Sequence, residues 1–168
     1  KHLKGLTLQE LKNYFQDIGE PAFRGEQLFR WMYQKNTRSI TNVTTFSKDL
    51  RAKLARESSL ERAQLIQKTS EKTGSTFKFL VELEDGMQVE SVYIPEKDRV
   101  TICLSSQVGC AIDCDFCATG KMGFHRHLDA GEIFEQYRLL QEYSSRPITN
   151  IVFMGMGEPF QNYNEVIK

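Results

Sequence analysis

Four cysteines, Cys103, Cys110, Cys114 and Cys117, fall within fifteen residues of a 168-residue chain. No secretory leader is visible, and in that setting such clustering points to metal or redox chemistry rather than to a disulfide framework. The spacing Cys110-x3-Cys114-x2-Cys117 puts three thiolates on one loop, where they can converge on three corners of a cubane. Iron–sulfur clusters are held by thiolates, usually four in electron carriers. Three ligands leave one iron open to bind substrate or cosubstrate. Phe116, directly before the last cysteine, is placed to shield such a site from water. The competing reading is zinc, with His125 or His127 as fourth ligand. Structural zinc sites usually draw on two short-spaced pairs, and this chain has a single C-x2-C, so iron–sulfur is favoured.

The elements that position this loop can be read from pattern. Leu8, Leu11, Phe15 and Ile18 recur at helical steps behind a capping Thr7. Gly19-Glu20-Pro21 ends that helix. A second helix is expected from about Gly25 to Lys35 and a third from about Ser47 to Arg56. They bury a small core and leave Arg24, Arg30, Lys48, Arg51, Lys53 and Arg56 outside. Ser75 to Leu83 and Gln88 to Ile94 then read as strands joined at Glu84-Asp85-Gly86, a hairpin signal. A third strand is expected over Arg99 to Leu104, running into the cysteine loop. Beyond it, Asp129 and Glu132 form a capping box, with Leu128 and Ile133 as hydrophobic staple. The helix they open runs to about Tyr143 with Ile133, Tyr137 and Leu140 inward. Asn150 to Met154 is a short buried strand, Gly155 to Pro159 the loop after it, and Asn164 to Lys168 the first turn of another helix.

This predicts a mixed α+β and α/β chain: a helical module over 1–70, a β-hairpin and first strand over 71–104, and a parallel α/β unit over 105–168. With 40% hydrophobic and 26% charged residues the composition is that of a soluble globular protein. A chain this long buries roughly 70% of its unfolded surface and needs no disulfide staples. No apolar run is long enough for a transmembrane helix, the cytoplasm is the default location, and the chain, lacking an initiator methionine, is expected to be a fragment. The net charge of zero averages two opposite parts. Residues 1–70 carry 13 Lys and Arg against 7 Asp and Glu, whereas residues 71–168 carry 9 against 15. The basic part is a candidate for meeting phosphates.

The string Cys103-Leu-Ser-Ser-Gln-Val-Gly-Cys110-Ala-Ile-Asp-Cys114-Asp-Phe-Cys117-Ala-Thr-Gly-Lys-Met-Gly-Phe124 resembles the radical S-adenosylmethionine (SAM) superfamily, and within it the RlmN-type dual-specificity RNA methyltransferases. The Cfr-type enzymes are close relatives. Phe23-Arg24-Gly25-Glu26-Gln27, Trp31-Met32-Tyr33, Val89-Glu90-Ser91-Val92-Tyr93-Ile94-Pro95 and Met154-Gly155-Met156-Gly157-Glu158-Pro159 match as well, so the likeness spans about residues 5 to 168.

The resemblance implies the opening βα units of a partial (β/α)6 barrel, truncated. It implies a [4Fe–4S] cluster on Cys110, Cys114 and Cys117, and a SAM site lined by Gly157 and Glu158. Cys103 would be the resolving thiol that releases methylated product as a disulfide forms. Glu90 would be the acceptor of the substrate proton. Read alone, Cys103 is a small buried hydrophobe and Glu90 a solvent-facing strand residue. The implied reaction is methylation at C2 of an adenosine in 23S rRNA and of one beside the tRNA anticodon. The Cfr-type reaction at C8 is the nearest alternative, and a zinc-stabilised RNA-binding module without catalysis is the alternative from another class. The implied partners are 23S rRNA, tRNA and a low-potential electron donor such as flavodoxin, with the protein a monomer. The family's methyl-carrying cysteine lies further along a longer chain, so this one reads as the amino-terminal portion of the enzyme, inactive by itself.

Overall fold

The computed structural model describes residues 1–70 and 75–168. They form two compact units, Lys1–Arg62 and Ala63–Lys168.

The first unit packs three helices, α1 (Leu8–Asp17), α2 (Phe23–Tyr33) and α3 (Lys48–Glu57). Thr7 caps α1 in a complete capping box: its hydroxyl accepts from the Glu10 amide at 3.2 Å, and the Glu10 carboxylate accepts from the Thr7 amide at 2.7 Å. Ser47 caps α3. Leu11, Phe15, Leu28, Met32 and Leu54 are fully buried together, since their three- and four-residue spacing puts them on one face of each helix. The expected outward cations divide into two sets. Arg30, Lys48 and Arg56 are exposed. Arg24 donates to the Thr45 carbonyl at 3.0 Å, Arg51 to the Thr41 carbonyl at 2.7 Å and Lys53 to the Ile18 carbonyl at 3.5 Å. Those three brace the loops between helices rather than facing outward.

The second unit is a mixed sheet with strands in the order β1 (Ala63–Ser70), β2 (Phe77–Leu83), β3 (Gln88–Pro95), β4 (Val100–Cys103) and β7 (Asn150–Val152). The first four run antiparallel, and β4 pairs with β7 in parallel. The crossover between that pair contains a two-stranded ribbon, β5 (Gln107–Gly109) with β6 (Phe124–His127), and helix α4 (Ala130–Tyr143). A short helix α5 (Tyr163–Ile167) closes the described chain. The Asp129–Glu132 capping box is formed, and Leu128 and Ile133 are both buried beside it.

One expected boundary differs. The helical module does not extend over 1–70: it ends at Arg62, and residues 63–70 are β1, paired to β2. Almost every residue of β1 is exposed, so no apolar alternation marks it as a strand. The hairpin segment's first residues, 71–74, lie outside the described residues.

The sheet's two faces differ. Phe79, Val81, Val89, Tyr93, Val100 and Ile102 point to α4 and form the core with Ile133 and Leu140. By register, the opposite face carries Lys78, Leu80, Glu90, Val92, Thr101, Cys103 and Val152.

Candidate cluster loop and cofactor platform

The cysteine loop is closed at its neck by the β5–β6 ribbon. The Cys110 amide donates to the Gly123 carbonyl at 3.1 Å. Gly109 sits at φ +74°, and a Cβ there would stand 1.8 Å from the Gly123 oxygen, so only glycine lets the two arms meet. Beyond the neck the loop is mostly exposed and has no regular strand or helix until a 3-10 turn at Gly120–Met122. Cys110, Cys114 and Cys117 are free and half-buried. The Cys117 amide donates to the Cys114 carbonyl at 2.9 Å, which folds the C-x2-C segment into a turn. The Cys117 thiol is shifted below its ordinary value, first by the Gly120 amide, then by the Thr119 amide and hydroxyl, all of which favour the thiolate.

The three side chains share this loop but do not converge. Among the described residues no three His, Cys, Asp or Glu groups are gathered closely enough to hold a metal ion. Phe116 is not a shield: it is 92% exposed and projects into solvent. His127 Nδ1 lies 3.1 Å from Gln107 Nε2, and His125 is exposed, so neither histidine joins the thiols as the zinc reading requires. The donor set nonetheless fits a thiolate-bound group: three free thiols on one closed loop, one already biased to the thiolate. Metal sites of this kind commonly form only as the group binds.

The second loop, Gly155–Glu158, is stitched to the segment that leaves β4. The Gly155 amide donates to the Leu104 carbonyl at 3.2 Å, and the Met156 amide to Ser105 Oγ at 2.9 Å. The Ser106 amide donates to the Met156 carbonyl at 2.9 Å, and the Glu158 amide to Gln107 Oε1 at 2.9 Å. Gly157 has φ +96°, and a Cβ there would stand 2.5 Å from Gln107 Cβ. The Glu158 carboxylate accepts from the Phe160 amide at 3.0 Å, so it is held as a helix cap while staying partly exposed.

Three buried amides organise this platform, and sequence reasoning missed all of them. Gln107 bridges His127 to the Glu158 amide. Gln136 accepts from Ser91 Oγ and from the Ser105 amide, each at 2.9 Å, and donates to the Ser105 carbonyl at 3.0 Å. Asn162 donates to the Ser106 and Leu128 carbonyls at 2.8 and 2.7 Å. A polar residue inside an apolar helical face, as at Gln136, was the one available signal.

Glu90 and Cys103 are brought to one face. Cys103 lies opposite Val92 in the register, so Glu90, two residues earlier on β3, is its diagonal neighbour. Cys103 is 7% exposed; burial raises its thiol above the ordinary value, partly opposed by the Met154 amide. All four cysteines are free, and the structure contains no disulfide among the described residues. Glu90 is half-exposed and pairs with Lys78 at 2.8 Å.

The sheet, its single parallel crossover and the loops at the carboxyl ends of β4 and β7 have a solved counterpart. The crystal structure of a radical SAM methyltransferase from Sphaerobacter thermophilus superposes with a TM-score of 0.87 at 40% identity, covering 97% of this chain and 49% of that one. The fold is therefore that of a radical SAM methyltransferase over half its chain.

Residues 1–60 match the family model described as the ribosomal RNA large subunit methyltransferase N-terminal domain. The chain is 43% identical to the probable dual-specificity RNA methyltransferase RlmN of Picosynechococcus sp., over 99% of this chain and 47% of that protein. It is 46% identical to the Trichodesmium erythraeum protein of the same description, over 98% and 47%. It is 42% identical to the dual-specificity RNA methyltransferase RlmN of Solidesulfovibrio magneticus, over 99% and 49%. The chain belongs to the RlmN family, and it spans about half the length of the curated relatives it matches. Among the described residues no helix is long and apolar enough to cross a membrane.

Proposed function

We propose that this chain is the cluster-bearing part of a radical SAM RNA methyltransferase that methylates C2 of an adenosine in 23S rRNA and in tRNA beside the anticodon. The observation that carries the reading is the joint placement of Cys103 and Glu90 on the sheet face turned away from α4, with the three-cysteine loop following on from β4. Cys110, Cys114 and Cys117 would hold the [4Fe–4S] cluster, and the Gly157–Glu158 backbone and carboxylate would line the SAM site. When bound, the cluster supplies the electron that cleaves SAM, and so the radical chemistry that an unreactive adenine carbon requires; a low-potential donor such as flavodoxin would reduce it.

The chain's own residues supply the rest. Glu90 accepts the proton of the substrate carbon. Cys103, held as a neutral thiol by burial, gives up its proton and attacks the sulfur of an enzyme–RNA crosslink. The S–S bond to a cysteine of the full-length protein forms as the sulfur–methylene bond breaks, and the electron pair leaves with the methylene carbon, which takes up a proton to become the product methyl group. The first unit carries 12 Lys and Arg against 7 Asp and Glu; Lys48 and Arg56 are exposed and would meet RNA phosphates, as would Arg30 on exchanging its 2.7 Å ion pair with Glu26 for a phosphate. Three such contacts on a single strand give a log–log salt slope of about −2. Mapping the methyl group on RNA treated with the full-length, anaerobically reconstituted enzyme tests the reaction. A C2 product is expected, and a product confined to C8 overturns the assignment.

A further inference from the structure

We propose that Lys78 is a positioning residue for Glu90, holding its carboxylate on the β2 side of the sheet, away from Cys103 and toward the substrate proton. This deepens the reading of Glu90 as proton acceptor and rests on it. Lys78 lies on β2, inside the sheet between β1 and β3, where no edge requires a charge. In the register it stands opposite Val92, and Val92 stands opposite Cys103. Glu90 is thus diagonal to both Lys78 and Cys103, and could lean to either side. The 2.8 Å ion pair settles the choice toward Lys78.

Around the pair, the same face carries Leu80, Val92, Ile94 and Val152, all half-buried. Gln67 and Thr69 of β1 and Thr101 of β4 share that face, but the ion pair itself is formed between Lys78 and Glu90, without which the half-exposed glutamate would sample several rotamers. A charge-assisted bond fixes one of them. In the step concerned, the substrate ring carbon gives its proton to a Glu90 carboxylate oxygen, and the electron pair of the broken bond stays with the ring. Lys78 takes no proton; it fixes where the accepting oxygen stands. A displaced base slows a proton transfer by up to about a hundredfold, whereas a half-exposed ion pair contributes little to stability.

The test uses the full-length, cluster-loaded enzyme and its RNA substrate, with Lys78→Met, Lys78→Arg and Glu90→Gln measured side by side. Methylation is followed in time, and covalent enzyme–RNA adduct is quantified on denaturing gels. Lys78→Met should lower kcat roughly tenfold to a hundredfold, leave KM for RNA within about twofold, and accumulate adduct as Glu90→Gln does. Lys78→Arg should restore turnover to within a few-fold and remove the adduct. If Glu90→Gln stalls while Lys78→Met turns over normally, Lys78 has no positioning role. If Lys78→Met raises KM with kcat unchanged, it is an RNA phosphate contact and the proposal is wrong. If Glu90→Gln itself turns over at the wild-type rate without adduct, the proton-acceptor reading fails first.

Discussion

Two loops leave the carboxyl ends of the parallel strands β4 and β7, and they are built in opposite ways. The Gly155–Glu158 loop is fastened residue by residue to Leu104–Gln107, through five backbone or side-chain hydrogen bonds and a glycine that admits no Cβ. Among the described residues the cysteine loop is fastened only at its neck, and its thiols stay apart on an exposed turn. Ligand sites in parallel α/β units form at these strand ends. The difference shows how such a site divides its work. The Gly155–Glu158 platform, proposed to meet the cosubstrate, is fixed by folding. The cysteine loop, proposed to hold the cluster, is only tethered, and a group bound there would set its geometry.

The sharpest way to break that contrast is at the thiols. Replacing Cys110, Cys114 or Cys117 with Ala should each abolish cluster assembly in the full-length protein, because two protein thiolates hold a cubane poorly. Iron, sulfide and visible absorbance measured after anaerobic reconstitution report this directly. Cys103→Ala should keep the wild-type iron content, since Cys103 sits on the sheet and not on the loop. Comparable loss from Cys103→Ala would mean that the loop is not the sole cluster-binding element.

Without iron, the same thiols should react unequally. Cys117 is biased to the thiolate by three donors, while Cys103 is buried and biased to the neutral thiol. Iodoacetamide at neutral pH, followed by peptide mass spectrometry, should modify Cys117 at least about tenfold faster than Cys103. Equal rates would show that the loop's hydrogen bonds do not persist in solution.

On the platform side, Gly157→Ala should destabilise the second unit by about 1–3 kcal/mol. The new Cβ would stand 2.5 Å from Gln107 at φ +96°. Urea unfolding measures the loss, and SAM affinity should fall with it because the Glu158 amide is held by the same Gln107. A neutral effect would show that the loop can shift as freely as the cysteine loop.

Much of this arrangement was legible in the residues. The helices of the first unit follow from their apolar spacing and from Thr7 and Ser47, and the hairpin from Asp85-Gly86. The three-cysteine spacing marked the loop, and the family strings marked Glu90, Cys103, Gly157 and Glu158. What could not be read is equally specific. β1 exposes nearly all its residues, so periodicity had nothing to report. The β5–β6 ribbon is only three to four residues a side. Arg24, Arg51 and Lys53 look like surface cations until the carbonyls they meet are known. Phe116 was assigned a covering role from adjacency alone, and a side chain's direction on an irregular loop is not encoded by adjacency. Gln107, Gln136 and Asn162 bind backbone groups distant in sequence, and only the fold brings those together.

The smallest expected effect concerns the base of the cysteine loop. Arg126, on β6, donates to both Glu132 oxygens at 2.8 and 2.9 Å and pairs with Asp85 of the hairpin turn at 2.7 Å. It therefore ties the outgoing arm of the loosely held loop to the helix start and to the sheet. Burial alone would raise the Asp85 carboxyl, but the Met87 amide and Arg126 outweigh it and hold the group below its ordinary value of 3.8. A depressed carboxylate contributes stability that is complete above its unfolded pKa and is lost as pH falls through the folded one. Asp85 is exposed and Arg126 partly so, and solvent screening keeps the ion pair's worth under about 1 kcal/mol. Asp85→Asn keeps an oxygen for the Met87 amide and removes only the charge. Its unfolding free energy should be lower than wild type by that amount near neutral pH. The two proteins should converge as pH falls below 3.8 and the wild-type carboxylate takes up its proton. A difference that persists undiminished in acid would mean that Asp85 acts through shape, and that the loop's base is held by Glu132 alone.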